Sequence, residues 1–141
     1  MKVMIVEDEN FIALELERIA QEAGYQTIGP VSTVEQALAH AQRSDVALVD
    51  LSLSDGLSGA QLARRLIDRH GVDVIFVTGS PENVGHGIEG ALDVISKPFT
   101  DERIASALSR AEERRKDFGS SKAACYNKKS TSFRRLGLPR R

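Results

Sequence analysis

Val46-Ala47-Leu48-Val49-Asp50-Leu51 sets a carboxylate at the end of an unbroken apolar run, and the fold follows from how that run is read. Four aliphatic residues without polar alternation are too few for a helix and too uniform for a strand with one wet face, so they form a strand covered on both sides. The pattern recurs along the chain. Val3-Met4-Ile5-Val6 leads into Glu7-Asp8-Glu9, Val74-Ile75-Phe76-Val77 into Thr78-Gly79-Ser80, and Asp93-Val94-Ile95-Ser96 into Lys97-Pro98-Phe99. Tyr25-Gln26-Thr27-Ile28-Gly29 alternates more and belongs nearer an edge.

Helical spacing fills the intervals. Phe11, Ile12, Leu14, Leu16, Ile19 and Ala20 recur with a helical period, and Gly24 is placed to stop that helix. Val34, Ala37, Leu38 and Ala41 mark a second helix, and Leu62, Ala63, Leu66 and Ile67 a third. The last begins after Thr100, an N-cap residue, and runs through Ile104, Ala107, Leu108 and Ala111 towards Arg115. Five βα repeats predict an α/β fold with a doubly wound, five-stranded parallel sheet. Ligands of such sheets sit outside the carboxyl ends of the strands, where strand order reverses.

That edge collects the chemistry. Two carboxylates about 4 Å apart repel by ~4 kcal/mol at an effective dielectric of 20, so Glu7, Asp8 and Asp50 together require a cation or bound protons. Oxygen donors without Cys or His favour Mg²⁺ or Mn²⁺ over zinc. A lone acid at a strand end is more often a helix cap or a solvated charge, and Glu9 reads that way. Asp50 sits between Val49 and Leu51, where an aspartate is costly unless paired or coordinated. Thr78 adds a hydroxyl, Gly79 an approachable amide, and Lys97 an ammonium group. A metal site, a carboxylate nucleophile at Asp50, a hydroxyl donor and a fixed cation are the parts of a phosphoryl-transfer site.

In Val6-Glu7-Asp8-Glu9, Leu48-Val49-Asp50-Leu51, Val77-Thr78-Gly79 and Lys97-Pro98-Phe99, residues 2 to about 116 resemble the CheY-like receiver domain of bacterial two-component response regulators, of the stand-alone type. The resemblance implies a flavodoxin-like strand order 2-1-3-4-5 with five helices. It implies Mg²⁺ held by Glu7, Asp8, Asp50 and the backbone carbonyl of Ser52, with Asp50 phosphorylated from the phosphohistidine of a sensor histidine kinase or phosphotransfer protein. Thr78 and Lys97 would contact the phosphoryl oxygens, and the fourth helix, fifth strand and fifth helix would present the change to a downstream signalling protein. Such a protein is a signalling phosphoacceptor, catalysing only its own phosphorylation and dephosphorylation. A homodimer through the last helix stays open.

Several positions depart from the family pattern. Glu7 stands where aspartate is usual, and Val94 where an aromatic switch residue is common. The loop Ser52 to Gly59 lacks a frequent proline. Gly85, Gly87 and Gly90 each cost about 1 kcal/mol relative to alanine in a helix. Asn83 to Gly90 is therefore expected to be partly unwound before phosphorylation and ordered by it. Ser52 and Ser80 are too small to exclude a hydrolytic water, which predicts a short or intermediate phosphoryl lifetime.

Charge divides the chain. Residues 1–116 carry 12 Lys or Arg against 19 Asp or Glu, whereas residues 117–141 carry 7 against 1. A receiver domain over 1–116 and a basic, disordered tail over 117–141 follow. The tail's Lys122, Lys128, Lys129, Arg134, Arg135, Arg140 and Arg141, with Tyr126 and Phe133, read first as a solvated segment and only second as a nucleic-acid or acidic-partner surface. Cys125 is the only cysteine, so no intramolecular disulfide forms. No apolar run approaches the ~18 residues of a membrane span and no signal-peptide pattern opens the chain, so a cytoplasmic protein without membrane contact is expected. His40, His70 and His86 lack ligand spacing, and Phe11, Phe76 and Phe99 read as packing residues. An Asp-x-Asp phosphatase is disfavoured by Ser52, which stands where its second acid would be; a degenerate receiver is disfavoured by the intact acidic, threonine and lysine positions, and a transcription factor by the short tail.

Overall fold

A computed structural model describes residues 1–51, 53, 59–83 and 90–118. Five strands, β1 (Lys2–Val6), β2 (Gln26–Val31), β3 (Val46–Val49), β4 (Asp73–Thr78) and β5 (Asp93–Ser96), alternate with helices α1 (Asn10–Glu22), α2 (Val34–His40), α3 (Gly59–His70) and α4 (Asp101–Phe118). All strand pairs are parallel, and the order is β2-β1-β3-β4-β5. The fold is the doubly wound α/β sheet that the strand pattern predicts. Four α-helices lie among the described residues. The helix expected between β4 and β5 falls largely on residues 84–89, outside them, between a 3₁₀ turn at Pro81–Asn83 and Gly90. The glycine-rich segment, the loop 54–58 and the tail beyond Phe118 lie outside as well.

The side-chain period of two divides the core between the two faces of the sheet. Met4, Val6, Ala47, Val49, Val74 and Phe76 pack with Val34 and Ala37 of α2 and Leu62 and Leu66 of α3. Val3, Ile5, Leu48, Ile75, Val77 and Ile95 pack on the other face with Leu16 and Ile19 of α1 and Ile104 and Leu108 of α4. Each large aliphatic side chain so buried contributes about 1.5–3 kcal/mol. This two-sided burial explains why β3 and β4 read as continuous apolar runs. Thr33 and Thr100 cap their helices, accepting the N–H of Gln36 and of Arg103, each at 3.1 Å. Gly24, at φ +98°, ends α1 in a conformation that side chains resist. The edge position of β2 tolerates Pro30 within the strand, because one side of β2 carries no ladder.

One expectation about packing is corrected. Phe11 is 91% exposed, and Leu14 of the same apolar pattern is 58% exposed. Ala13, Leu16, Ile19 and Ala20 form the buried stripe of α1, and Phe11 and Leu14, three residues apart, share a flank outside it. Phe76 is fully buried and Phe99 partly so, as read from the sequence.

At the amino ends of the strands runs an ion-pair belt. Asp93 is held by Arg103 and Arg110, and Asp73 by Arg114 and Arg115, with Arg115 also reaching Asp45 at 3.5 Å. Its inner pair is buried, with Arg115 and Asp73 side chains 9% and 7% exposed at 2.8 Å. This belt fastens α4 to the sheet. Among the described residues no helix is long and apolar enough to cross a membrane.

Candidate functional site

Strand register brings the acids together. Val6 pairs with Val49 across β1 and β3, so the next residues, Glu7 and Asp50, leave the sheet side by side. Asp50 donates its N–H to Val6 O at 2.9 Å, and Glu7 donates its own to Val31 O at 2.9 Å, which fixes both backbones at the point where β2 and β3 diverge from β1. Glu7, Asp8 and Asp50 each offer a carboxylate oxygen, and these oxygens all lie within 4.8 Å of one another. Glu7 and Asp50 are buried, at 2% and 7% exposure.

Lys97 enters from the end of β5, beyond the Thr78–Ser96 pairing, and donates its N–H to Thr78 O at 2.8 Å. Its ammonium Nζ stands 3.0 Å from Glu7 Oε1 and 3.7 Å from Asp50 Oδ2. Glu7, longer than the aspartate usual at its position, thus has the closer hold on the lysine. Burial pushes the Glu7 carboxyl up, to about 7, with the Asp50 charge adding to the rise and Lys97 and the Glu9 N–H, at 3.2 Å from Oε2, opposing it. Near neutrality the site therefore holds a loosely bound proton.

Thr78 is buried at the end of β4, and its Oγ1 accepts the N–H of Ser80 at 3.0 Å. The structure thus joins Glu7, Asp8, Asp50 and Lys97 directly and sets Thr78 at the neighbouring strand end with its hydroxyl engaged in the loop that follows. Ser52, whose carbonyl the sequence resemblance adds to the ligand set, lies outside the described residues. Two features escaped the sequence. Cavities of about 410 Å³, lined by Ile12, Glu15, Lys97, Pro98 and Phe99, and about 340 Å³, lined by Glu7, Asn10, Ala13, Leu14, Pro30, Val31 and Ser32, open on either side of the first turns of α1. Exposed Phe11 and Leu14 sit between them; only the offset from the buried stripe hints at this.

The donor set fits a small divalent cation. Three carboxylates supply hard oxygen ligands, and buried Glu7 Oε1 accepts no aligned hydrogen bond despite the nearby ammonium, which leaves it a lone pair to offer.

A doubly wound sheet with an acidic cluster and a lysine at the strand-order reversal defines a carboxylate site of the receiver class. Residues 3–109 match the family model of the response regulator receiver domain. The chain belongs to that family, the receiver domains of response regulators in two-component systems. It is 33% identical over 115 residues to the phyllosphere-induced regulator PhyR of Methylorubrum extorquens, covering 78% of this chain and 43% of that protein. The crystal structure of the response regulator PhyR from Brucella abortus superposes with a TM-score of 0.71 at 29% identity, over 82% of this chain and 50% of that one. A CheY-like receiver domain protein from Methanospirillum hungatei gives 0.71 at 27% identity, over 82% and 97%. The chain spans about half the length of the curated relatives it matches.

Proposed function

We propose that Asp50 is the phosphoacceptor of a two-component phosphorelay. A carboxylate oxygen of Asp50 attacks the phosphorus of a phosphohistidine on a sensor histidine kinase or phosphotransfer protein. The new O–P bond forms as the P–N bond breaks, and the imidazole leaves with the electron pair and takes up a proton. Glu7, Asp8 and Asp50 would hold Mg²⁺, with the Ser52 carbonyl added by family resemblance; when bound, the cation neutralises charge on the phosphoryl oxygens. Lys97 is close enough to Asp50 to share that work, and doing so means releasing Glu7. Turning the Thr78 hydroxyl towards the phosphoryl group gives up its bond to Ser80 and frees the start of the following loop. The change would reach a downstream signalling protein through β5 and α4. Val94, partly buried against the Phe76 side of the core, has no ring to swing, so the usual aromatic relay does not operate.

Phe11 and Leu14 suit the donor. They form an apolar patch beside the mouth of the site, flanked by the two cavities that reach Lys97 and Glu7, where a docked donor protein would bring its phosphohistidine to Asp50. A cytoplasmic location and a role as a signalling phosphoacceptor, rather than as an enzyme acting on other substrates, belong to this reading.

The observation that carries it is the meeting of three carboxylates within 4.8 Å beside the Lys97 ammonium at the strand ends of a receiver fold. Incubation with Mg²⁺ and acetyl phosphate, followed by intact-mass measurement, should reveal a phosphoryl adduct that Asp50→Asn does not form. No adduct from acetyl phosphate or from a phosphohistidine donor would overturn the assignment.

A further inference from the structure

Helix α3 starts against the Asp50 peptide itself. Gly59 donates its N–H to Leu51 O at 2.8 Å, so the chain that leaves the sheet after Asp50 returns to the same strand end at the first residue of α3. A Cβ at position 59 would lie 2.2 Å from Asp50 O, 2.8 Å from Leu51 Cα and 3.0 Å from the Asp50 carbonyl carbon. All three are backbone atoms, which cannot rotate out of the way. The φ of Gly59 is not positive, so the demand for glycine here is one of space. Gly79, at the end of the neighbouring strand, would meet nothing within 4 Å.

We infer that Gly59 is a positioning residue for Asp50, the inference resting on the phosphoacceptor reading above. The Asp50 peptide is held on one side by its N–H bond to Val6 O at 2.9 Å and backed on the other by the bare Cα of Gly59. Together these aim the Asp50 side chain at Glu7, Asp8 and Lys97. An ordinary carbon contact is about 3.5 Å, so a methyl group at position 59 must push the Asp50 carbonyl and α3 apart by ~1 Å. The Lys97–Asp50 separation of 3.7 Å and the 4.8 Å carboxylate cluster have no slack for such a shift. Misplacement of a reacting group by about 1 Å costs on the order of 100-fold in rate.

The test compares Gly59→Ala with wild type and with Gly24→Ala. Gly24 has φ +98° with open space around its Cβ position, so its alanine variant loses stability through backbone strain far from the site. With acetyl phosphate and saturating Mg²⁺, Gly59→Ala should form the Asp50 adduct about 10- to 100-fold more slowly and bind Mg²⁺ more weakly by titration calorimetry. Gly24→Ala should keep the wild-type rate and affinity despite its lower melting temperature. A Gly59→Ala rate and Mg²⁺ affinity equal to wild type would overturn the inference. Should Gly59→Ala fail to fold, the wild-type Gly59 amide resonance decides: a shift on adding Mg²⁺ and again on phosphorylation supports the role, and an unmoved resonance overturns it. A wild-type protein that takes no phosphoryl group fails at the earlier step and removes the phosphoacceptor reading itself.

Discussion

Replacing Asp93 by asparagine tests how α4 is fastened to the surface proposed to signal. Arg103 donates to both Asp93 carboxylate oxygens, at 2.8 and 3.0 Å, and Arg110 joins from one helical face further on. These hydrogen bonds, those of Arg103 first, with the Val94 N–H helping and burial opposing, draw the Asp93 carboxyl from its ordinary 3.8 down to about 2. At 1.36 kcal/mol per pH unit of difference, the charge of Asp93 is worth about 2.4 kcal/mol to the fold. The Arg103 and Arg110 side chains are 40% and 57% exposed, so solvent screening reduces this to roughly 1–2 kcal/mol. Because the folded pKa is depressed, the contribution is complete above the unfolded value near 3.9 and disappears as pH falls towards about 2. Urea unfolding followed by circular dichroism should find Asp93→Asn less stable than wild type by roughly 1–2 kcal/mol at pH 7. The gap should be unchanged at pH 5 and narrow progressively below pH 4. A gap that stays constant down to the lowest pH at which both proteins fold would refute the reasoning, because it would not come from the carboxylate charge.

Arg115→Ala should cost about 3 kcal/mol, since it leaves the buried Asp73 carboxylate with only Arg114 at 2.9 Å and strips the Asp45 carbonyl of a 2.8 Å donor. A loss under about 1 kcal/mol in the same urea assay would mean that the belt is solvated rather than buried. The double substitution Phe11→Ser with Leu14→Ser should leave stability within ~0.5 kcal/mol, both side chains being exposed. It should leave acetyl phosphate labelling unchanged and slow transfer from a phosphohistidine protein; equal slowing with both donors would place the defect in the site and not in docking.

The strand runs were legible because burial on both faces leaves no ambiguity of register: Val46 to Val49 can only be a central strand, and whatever follows it can only be at the carboxyl edge. From that placement Glu7, Asp8, Asp50 and Lys97 could be gathered before any coordinates. Which partner Lys97 prefers could not, because its 3.0 Å approach to Glu7 depends on the reach of a side chain one methylene longer than aspartate. The face of α1 was misread for a related reason. Six apolar residues in ten satisfy more than one helical stripe, and only packing against the sheet selected Ala13, Leu16, Ile19 and Ala20 over Phe11 and Leu14. Gly59 read as one more loop glycine, since the close approach that demands it links chain segments eight residues apart through a turn whose path the sequence does not encode visibly.

The ion-pair belt was missed although its parts stood in plain sight, and the contrast it makes with the site is informative. Asp45, Asp73 and Asp93 stand at the amino ends of β3, β4 and β5, and the four arginines Arg103, Arg110, Arg114 and Arg115 of α4 neutralise them in full. At the carboxyl end Glu7, Asp8 and Asp50 meet one ammonium group, that of Lys97. Both ends gather three acids. The first arrangement has no use for a further cation, and its charges serve stability. The second is short by two positive charges among the described residues, and the rise of the Glu7 carboxyl to about 7 is the protein's partial answer, a proton taken up because burial leaves the charge unpaid. A divalent cation supplies the missing two charges and would displace that proton, so the acidic cluster is poised for the ion the phosphoacceptor reading requires at the one edge where the fold presents a nucleophile.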